Sequence, residues 1–237
     1  MNDKYYFKFK NKLIEIDYSW KGLFDSLREE IIEIEYYIGD NFTPSAENIF
    51  KIFKIPVAEI KVVLLGQDPY PQEGIATGRA FEVSDYKDWS IKTSNTSLTN
   101  ILKALYIENQ KLNNDSIDIN LVRRDIQYEK FKINSPNKIF SVWESNGVFL
   151  LNTSLTCEIN TPNSHKLFWS CFTKKVIQFI SKLDQDIHWL LLGNEAHYFI
   201  PIIEKHSKNY FETHPHPVNT NSFLNSKPFK KLIDFFV

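Results

Sequence analysis

The sequence predicts an α/β protein, a three-layer sandwich with a central four-stranded, mainly parallel sheet flanked by helices. Short apolar runs of four or five residues, typical of strands buried on both faces, alternate with longer segments of helical spacing. Strands that alternate with helices are joined by crossovers, and this arrangement favours a parallel sheet. The 237 residues are enough for one large core, and we predict a single domain over residues 1–237.

The first half of the chain is predicted to contain three helices and one strand. Thr43 and Pro44 have the residue types of an N-cap and a first helical position, and therefore predict a helix that carries Ile49, Phe50 and Phe53. In order, the predicted elements are an irregular or hairpin-like start over 1–20, a helix over 23–37, the helix after Thr43-Pro44, a strand over Val62–Leu65 and a helix over 98–105.

The second half is predicted to supply the other three strands of the sheet. Residues 106–140 are rich in asparagine and poorly patterned, so we interpret them as an elaborated connection with one short helix near 117–126. The predicted strands are 148–151, 188–192 and 209–213, and the predicted helices are 168–183, 196–205 and 228–237.

Composition excludes several classes of protein. The net charge of −1 gives no overall basic field of the kind that highly charged nucleic-acid binders carry. Cys157 and Cys171 lack CxxC spacing, so we expect two reduced, buried thiols and neither a disulfide framework nor a metal site. No apolar run approaches the length of a membrane helix, and the first residues lack a signal-peptide core. We expect a monomer in the cytoplasm or nucleus, without a membrane partner.

Polar residues follow each of the four predicted strands. They are Asp68, Asn152, Gly193-Asn194 and His214. Side chains just beyond the carboxyl ends of parallel strands face the ligand crevice of an open α/β sheet. Each residue taken alone is also explained by a turn: Asn152 as a turn cap, Gly193 as a helix-entry glycine, His214 as part of a Thr-His-Pro turn. A carboxylate, an amide and an imidazole at one sheet edge favour a functional site.

The same segments resemble the uracil-DNA glycosylases of the classical uracil-N-glycosylase family. Lys61-Val-Val-Leu-Leu-Gly-Gln-Asp-Pro-Tyr70 is similar to the family's water-activating loop and its strand, and Gly78-Arg-Ala-Phe81 to the segment that bears a base-stacking Phe. Leu150–Thr156 and Asn163-Ser-His-Lys166 resemble the uracil-recognition strand and the region after it. Leu191–Asn194 and His214-Pro-His-Pro-Val218 resemble a Gly-Ser loop and a minor-groove loop.

This resemblance implies an enzyme that flips uracil out of DNA and hydrolyses its N-glycosidic bond, without a cofactor or metal. Asp68 and His214 would be catalytic, Asp68 orienting water and His214 stabilising the departing base. The residues implied for substrate binding are Gln67, Tyr70, Phe81 and Asn152. The residues implied for DNA binding are Ser97, Lys166, Asn194, His216, Val218 and Asn219. Besides single- or double-stranded uracil-containing DNA, the implied partners are a proteinaceous inhibitor or a replication partner.

The chain departs from the family pattern mainly in the loops implied to handle DNA. Pro71 replaces the usual His, and Lys92–Thr96 stands where a proline-rich loop is expected. Asn194 and His216 each replace a Ser, and Val218 replaces a longer Leu. We therefore expect the chemistry to be retained with a weaker grip on duplex DNA, so that single-stranded substrate is favoured.

Two other functions are weighed against this one. A glycosylase-fold subunit that binds DNA or assists replication, with weak or no activity, would need the fold but not all the pocket residues. A nucleotide-binding α/β protein is disfavoured because neither GxxxxGK[ST] nor GxGxxG occurs.

Overall fold

A four-stranded parallel sheet organises the structure, a computed structural model that describes residues 3–112, 117–203 and 208–237. The described strands are β1 (Lys4–Phe9), β2 (Lys12–Asp17), β3 (Phe42–Thr43), β4 (Val62–Gly66), β5 (Val148–Asn152), β6 (Cys157–Glu158), β7 (Ile187–Leu192) and β8 (Asn209–His214). The described helices are α1 (Lys21–Ser26), α2 (Arg28–Tyr37), α3 (Thr96–Asn109), α4 (Ile119–Gln127), α5 (Pro136–Ser145), α6 (Lys166–Ser181), α7 (Asn194–His197), α8 (Ile200–Ile203) and α9 (Thr220–Asn225). The predicted sheet flanked by helices is confirmed.

The central sheet has the strand order β5-β4-β7-β8, and its four strands run parallel. Every residue of β4 and β5 is buried, as expected for parallel strands that are covered on both faces. Gly66 at the end of β4 lies beside Asn152 at the end of β5, and Leu192 of β7 lies beside His214 of β8. The carboxyl ends of the strands therefore meet at one edge, where the sequence predicted a site.

Aromatic rings fill the core between the N-terminal segments and β5. Trp20 packs against Phe53 and Phe149 with ring centroids 5.0 and 5.4 Å apart. Phe24 contacts Phe50 and Phe53 edge to face at 5.7 and 5.0 Å. This geometry lets the positive edge of one ring meet the negative face of the next. These rings thus form a packed support behind the sheet.

The opening segment forms the predicted hairpin. β1 and β2 pair antiparallel over their full length, from Lys4 opposite Asp17 to Phe9 opposite Lys12. Lys10 and Asn11 connect them with φ of +46° and +58°. Two central residues with positive φ are characteristic of the tight turn whose twist matches that of the flanking strands.

Two predictions for the N-terminal helices need correction. The helix predicted over 23–37 is divided into α1 and α2 at the buried residue Leu27. The helix predicted to start at Thr43-Pro44 is absent, because Thr43 pairs with Cys157 in the β3–β6 ladder and its peptide bond to Pro44 is cis. The buried residues Ile49, Phe50 and Phe53 lie on turns and on a 3₁₀ helix over Lys51–Lys54 instead.

The segment 106–140 is more ordered than its sequence predicted. The short helix predicted near 117–126 is confirmed as α4, whereas residues 113–116 lie outside the described part of the chain. Helix α5 was missed, although Ser135-Pro136 has the residue types of a helix start. Trp143 on α5 is buried and donates its indole N–H to the carbonyl of Phe236 at 2.8 Å. The segment is therefore part of the packed structure.

The C-terminal quarter also differs from prediction. The helix predicted over 196–205 is replaced by α7 and α8, separated by a turn, and its last two residues lie outside the described ranges. The helix predicted over 228–237 is wrong, since turns and a 3₁₀ helix over Ile233–Phe235 bury Phe229, Leu232 and Phe236. Helix α9 was not predicted.

Both cysteines are free, but only one is buried. Cys157 donates its S–H to the carbonyl of Pro69 at 3.5 Å, whereas Cys171 is exposed on α6, so the prediction of a buried thiol is wrong there. None of the helices in the described part of the chain is long and apolar enough to cross a membrane.

Candidate active site

A cavity of about 200 Å³ lies at the carboxyl edge of the sheet, and we call it the main cavity. It is lined by Gln67, Asp68, Pro69, Tyr70, Pro71, Phe81, Ser97, Asn152 and His216. A neighbouring side cavity of about 300 Å³ is lined by Gly193, Asn194, His197, Thr213, His214, Pro215, His216 and Asn219. Larger grooves of about 500 Å³, such as the one between β1 and α2, contain none of the predicted site residues.

Asp68 lies two residues beyond β4 and is held by the loop before α6. Its Oδ2 accepts a hydrogen bond from the backbone N–H of Asn163 at 2.7 Å. The side chain of Asn163 in turn accepts a hydrogen bond from the amide of Gln67 at 2.8 Å. Burial raises the pKa of Asp68, and the bond from Asn163 opposes that shift by stabilising the carboxylate. Asn163 is thus a site residue that the sequence interpretation gave no role.

Gly66 allows Asn152 and Phe81 to approach each other across the sheet edge. A Cβ atom at Gly66 would lie 2.7 Å from Oδ1 of Asn152 and 3.3 Å from Cε2 of Phe81. Any side chain at this position would therefore displace the amide, which is only 5% exposed. The register that pairs Gly66 with Asn152 places the Asn152 amide of the main cavity directly beside the ring of Phe81.

Phe81 adopts a backbone conformation that is strained for a bulky residue, with φ of +66°. The segment that carries it is fixed by Arg79, whose Nε donates to Glu144 on α5 at 2.7 Å and whose Nη1 donates to both oxygens of Glu82 at 3.1 Å. Glu82 is 6% exposed. A buried, multiply bonded guanidinium of this kind has the geometry to hold Phe81 in the left-handed region.

The hydroxyl of Tyr70 and both ring nitrogens of His214 are buried and have no hydrogen-bond partner within 3.5 Å among the described residues, although Tyr70 interacts with Asn95 and His214 with Glu212. Burial raises the pKa of Tyr70 to about 12, so its hydroxyl stays neutral. Burial likewise lowers the pKa of His214, and its Nε2 lies 3.6 Å from a carboxylate oxygen of Glu212. His214 is therefore neutral at physiological pH. Orphaned buried groups cost stability and are common at sites that bind a ligand.

The structure gathers most of the residues predicted for catalysis and substrate binding. Gln67, Asp68, Tyr70, Phe81 and Asn152 line the main cavity, whereas His214 lines the side cavity next to it.

The residues predicted to bind DNA are distributed more widely. Ser97, near the start of α3, lines the main cavity; Asn194 and Asn219 line the side cavity; His216 lines both. Lys166 and Val218 line neither, and Lys166 forms an ion pair with Glu195 at 2.5 Å. Val218 is 53% exposed.

The described residues contain no group of three or more His, Cys, Asp or Glu side chains arranged to hold a metal ion.

The chain is similar to known proteins over most of its length. The family model "Uracil DNA glycosylase superfamily" matches residues 53–236. A uracil-DNA glycosylase of Borrelia duttonii is 34% identical over 236 residues, covering 94% of both chains. One of Fusobacterium nucleatum is 32% identical over 230 residues, covering 92% of this chain and 89% of that one. The crystal structure of the enzyme from Nitratifractor salsuginis has a similar fold, with a TM-score of 0.73, 18% identity and coverage of 93% of this chain and 91% of that one.

Replacing Arg79 with Leu is expected to lower the free energy of unfolding by about 3–5 kcal/mol, because Glu144 would lose its cation and Glu82 would keep, among the described residues, only the Lys51 cation at 3.8 Å. Chemical denaturation monitored by circular dichroism measures the change. The matched control is Lys12→Met, which breaks the exposed surface pair with Glu47 at 2.8 Å and should cost no more than about 1 kcal/mol. Equal effects of the two substitutions would contradict the role given to Arg79.

Proposed function

Because the chain belongs to the uracil DNA glycosylase superfamily, we propose that it removes uracil from DNA by hydrolysing the N-glycosidic bond to deoxyribose, as the first step of base excision repair. One observation carries the proposal: Asp68, Tyr70, Phe81 and Asn152 line a single cavity at the carboxyl edge of the parallel sheet. That cavity combines a carboxylate, an amide and two aromatic rings, which is what recognition and release of a flipped base require.

Recognition of uracil is assigned to Asn152 and its aromatic neighbours. The amide of Asn152 can donate to O4 and accept from N3–H of uracil, whereas cytosine presents the reverse pattern there. A buried amide rejects the wrong base because the mismatch would leave polar groups unpaired. Phe81 stacks on the base, and the rigid ring of Tyr70 leaves no room for the methyl group of thymine. The neutral hydroxyl of Tyr70 adds no charge to the pocket.

Bond cleavage is assigned to Asp68 and His214. As the C1′–N1 bond breaks, its electron pair passes to the uracil and positive charge develops on the sugar. Asp68, when ionised, stabilises that positive charge and orients the water that attacks C1′, which releases a proton as the new C–O bond forms. Neutral His214 donates a hydrogen bond to the negative charge that develops on uracil O2. Burial keeps this imidazole neutral.

Contacts to the DNA backbone are assigned to the loops around the two cavities. Ser97, Asn194 and Asn219 supply neutral polar groups that position the strand, and Val218 has the exposure needed for a wedge that enters the base stack. Lys166 is neutralised by Glu195, which reduces its attraction for phosphate. The proposed DNA-binding surface therefore offers little free positive charge to the phosphates.

A DNA-binding or replication-associated subunit with weak or no activity is the alternative. The orphaned hydroxyl of Tyr70 and imidazole of His214 favour the enzyme, because a scaffold gains nothing from leaving these groups unpaired. A mimivirus relative of similar fold, with a TM-score of 0.64 and 22% identity over 84% of this chain and 69% of that one, has been solved in complex with UGI. We extend to this chain only the proposal that a protein inhibitor could act at the DNA-binding face.

Wild-type protein is expected to release free uracil from a deoxyuridine oligonucleotide. Asp68→Asn should lower the single-turnover rate by about 10²- to 10⁴-fold and His214→Leu by about 10²- to 10³-fold. The control is Asp184→Asn, which removes the negative charge of a side chain that is 95% exposed and should leave the rate unchanged. DNA binding without uracil release by wild-type protein would establish the alternative.

The rate of uracil release is expected to fall as the solution becomes more acidic. Asp68 must be ionised, and burial raises its pKa, so acid protonates it at a higher pH than it protonates an exposed aspartate. His214 has a pKa below 6.5 and stays neutral above that pH. Single-turnover rates measured from pH 4.5 to 8.5 test this. A rate that rises towards acidic pH would show that Asp68 acts protonated.

Single-stranded uracil DNA is expected to be processed at least as fast as duplex at every salt concentration, because the proposed contacts include few free cations. Glu195→Gln should release Lys166 and strengthen duplex binding. The salt dependence of the binding affinity should then increase by the amount expected for about one additional phosphate contact. Glu129→Gln removes an exposed carboxylate elsewhere and serves as the charge-matched control. Faster release from duplex throughout would refute the weak-grip proposal.

A further inference from the structure

His216 has a position that its sequence context did not predict. The motif placed it in a loop that contacts the DNA backbone, but in the structure it lines the main cavity together with Asp68 and Asn152. It also lines the side cavity together with His214, so its ring forms the boundary between the two spaces. His214, by contrast, is not one of the residues that line the main cavity.

The ring of His216 is closely packed on two sides. A Cβ atom at Gly193 would lie 3.1 Å from Cβ and 3.2 Å from Cδ2 of His216, so the absence of a side chain at Gly193 lets the imidazole seat against the backbone. The ring centroid of Phe81, the proposed stacking residue, is 6.1 Å away with the planes inclined by 49°. The imidazole is therefore fixed beside the surface on which the base would stack.

One hydrogen bond determines which ring nitrogen carries the proton. The backbone N–H of Val218 donates to Nδ1 of His216 at 3.2 Å, so Nδ1 is an acceptor and the proton of the neutral ring is on Nε2. Burial lowers the pKa of His216, which keeps the ring neutral. Among the described residues, none forms a hydrogen bond with Nε2. The ring thus has one N–H available to a ligand.

We propose that His216 is a second catalytic imidazole, whose Nε2–H donates a hydrogen bond to uracil O2 while the C1′–N1 bond breaks. This inference rests on the proposed function. Since Asn152 is assigned to O4 and N3–H, O2 is the remaining carbonyl oxygen of the base. His216 transfers no proton: the electron pair of the broken bond stays on the uracil anion, and the N–H stabilises it. Uracil O2 then receives hydrogen bonds from two neutral imidazoles, those of His214 and His216.

The test compares His216→Phe with His216→Gln in single-turnover uracil release and in DNA binding at several salt concentrations. Phe keeps a planar ring against Gly193 and Phe81 but has no N–H, and should lower the rate about 10- to 100-fold with unchanged affinity and salt dependence. Gln retains an N–H donor and should restore most of the rate. Replacing O2 of the substrate uracil with sulfur should slow uracil release by the wild-type protein more than release by His216→Phe. In the variant the contact between Nε2–H and O2 is already absent, so the substitution in the substrate has less to remove.

Thermal melting identifies any variant that fails to fold. His216→Ser, which removes the ring without adding bulk, then replaces His216→Phe in the comparison and should show the same loss of rate. A rate of uracil release within about twofold of wild type for a folded His216→Phe or His216→Ser variant would overturn the inference. So would a loss confined to DNA affinity with a smaller salt dependence, which identifies a phosphate contact. Wild-type protein that releases no uracil would overturn the proposed function as well, whereas the other two outcomes leave it intact.

Discussion

The pairing of Gly66 with Asn152 at the carboxyl edge of the sheet is the constraint on which the site depends. Parallel register fixes the two residues side by side, and the missing Cβ of Gly66 lets the Asn152 amide and the Phe81 ring occupy the space above it. A one-residue shift between β4 and β5 would turn the amide to the other face of the sheet. The buried aliphatic residues of both strands make such a shift costly, so the same packing that stabilises the core also positions the amide of Asn152.

Burial acts in opposite directions on the two groups proposed to perform the chemistry. It lowers the pKa of His214, which favours the neutral donor that the proposed mechanism uses. The stability of the folded state therefore falls as pH drops below 6.5, because His214 is protonated more readily in the unfolded chain. It raises the pKa of Asp68, so the ionised form that the mechanism needs is destabilising above its unfolded pKa of 3.8. The hydrogen bond from the backbone of Asn163 offsets part of that cost. A loop that follows β6 thus stabilises the carboxylate of Asp68 against part of its desolvation.

How well the sequence predicts each feature depends on how far apart along the chain the interacting residues lie. Continuous apolar runs predicted β4, β5 and β7, because burial leaves a local signature, whereas β8 is a partly exposed edge strand of mixed polarity. The residues at the ends of the strands drew attention to Asp68, Asn152 and His214. Thr43-Pro44 resembled a helix start, yet its conformation is set by pairing with Cys157, 114 residues later by sequence number. Arg79 and Glu144 are 65 positions apart, and no local pattern reveals their ion pair. His216 was placed by analogy in a DNA-binding loop, whereas only the packing against Gly193 shows that its ring lines the main cavity.

The surroundings of His216 are best understood as a coupled set. Arg79 ties the Phe81 loop to α5 through Glu144 and bonds Glu82 within the loop, and this loop then presents the ring beside His216. Gly193 supplies the space on the other side of that imidazole, and Val218 fixes its tautomer through a backbone N–H. Without Phe81, Gly193 and the backbone N–H of Val218 as neighbours, an imidazole at position 216 would be mobile and solvated. In this chain it is a neutral, oriented donor beside the proposed uracil pocket, so a residue whose motif position indicates strand contact has acquired the surroundings of a catalytic group.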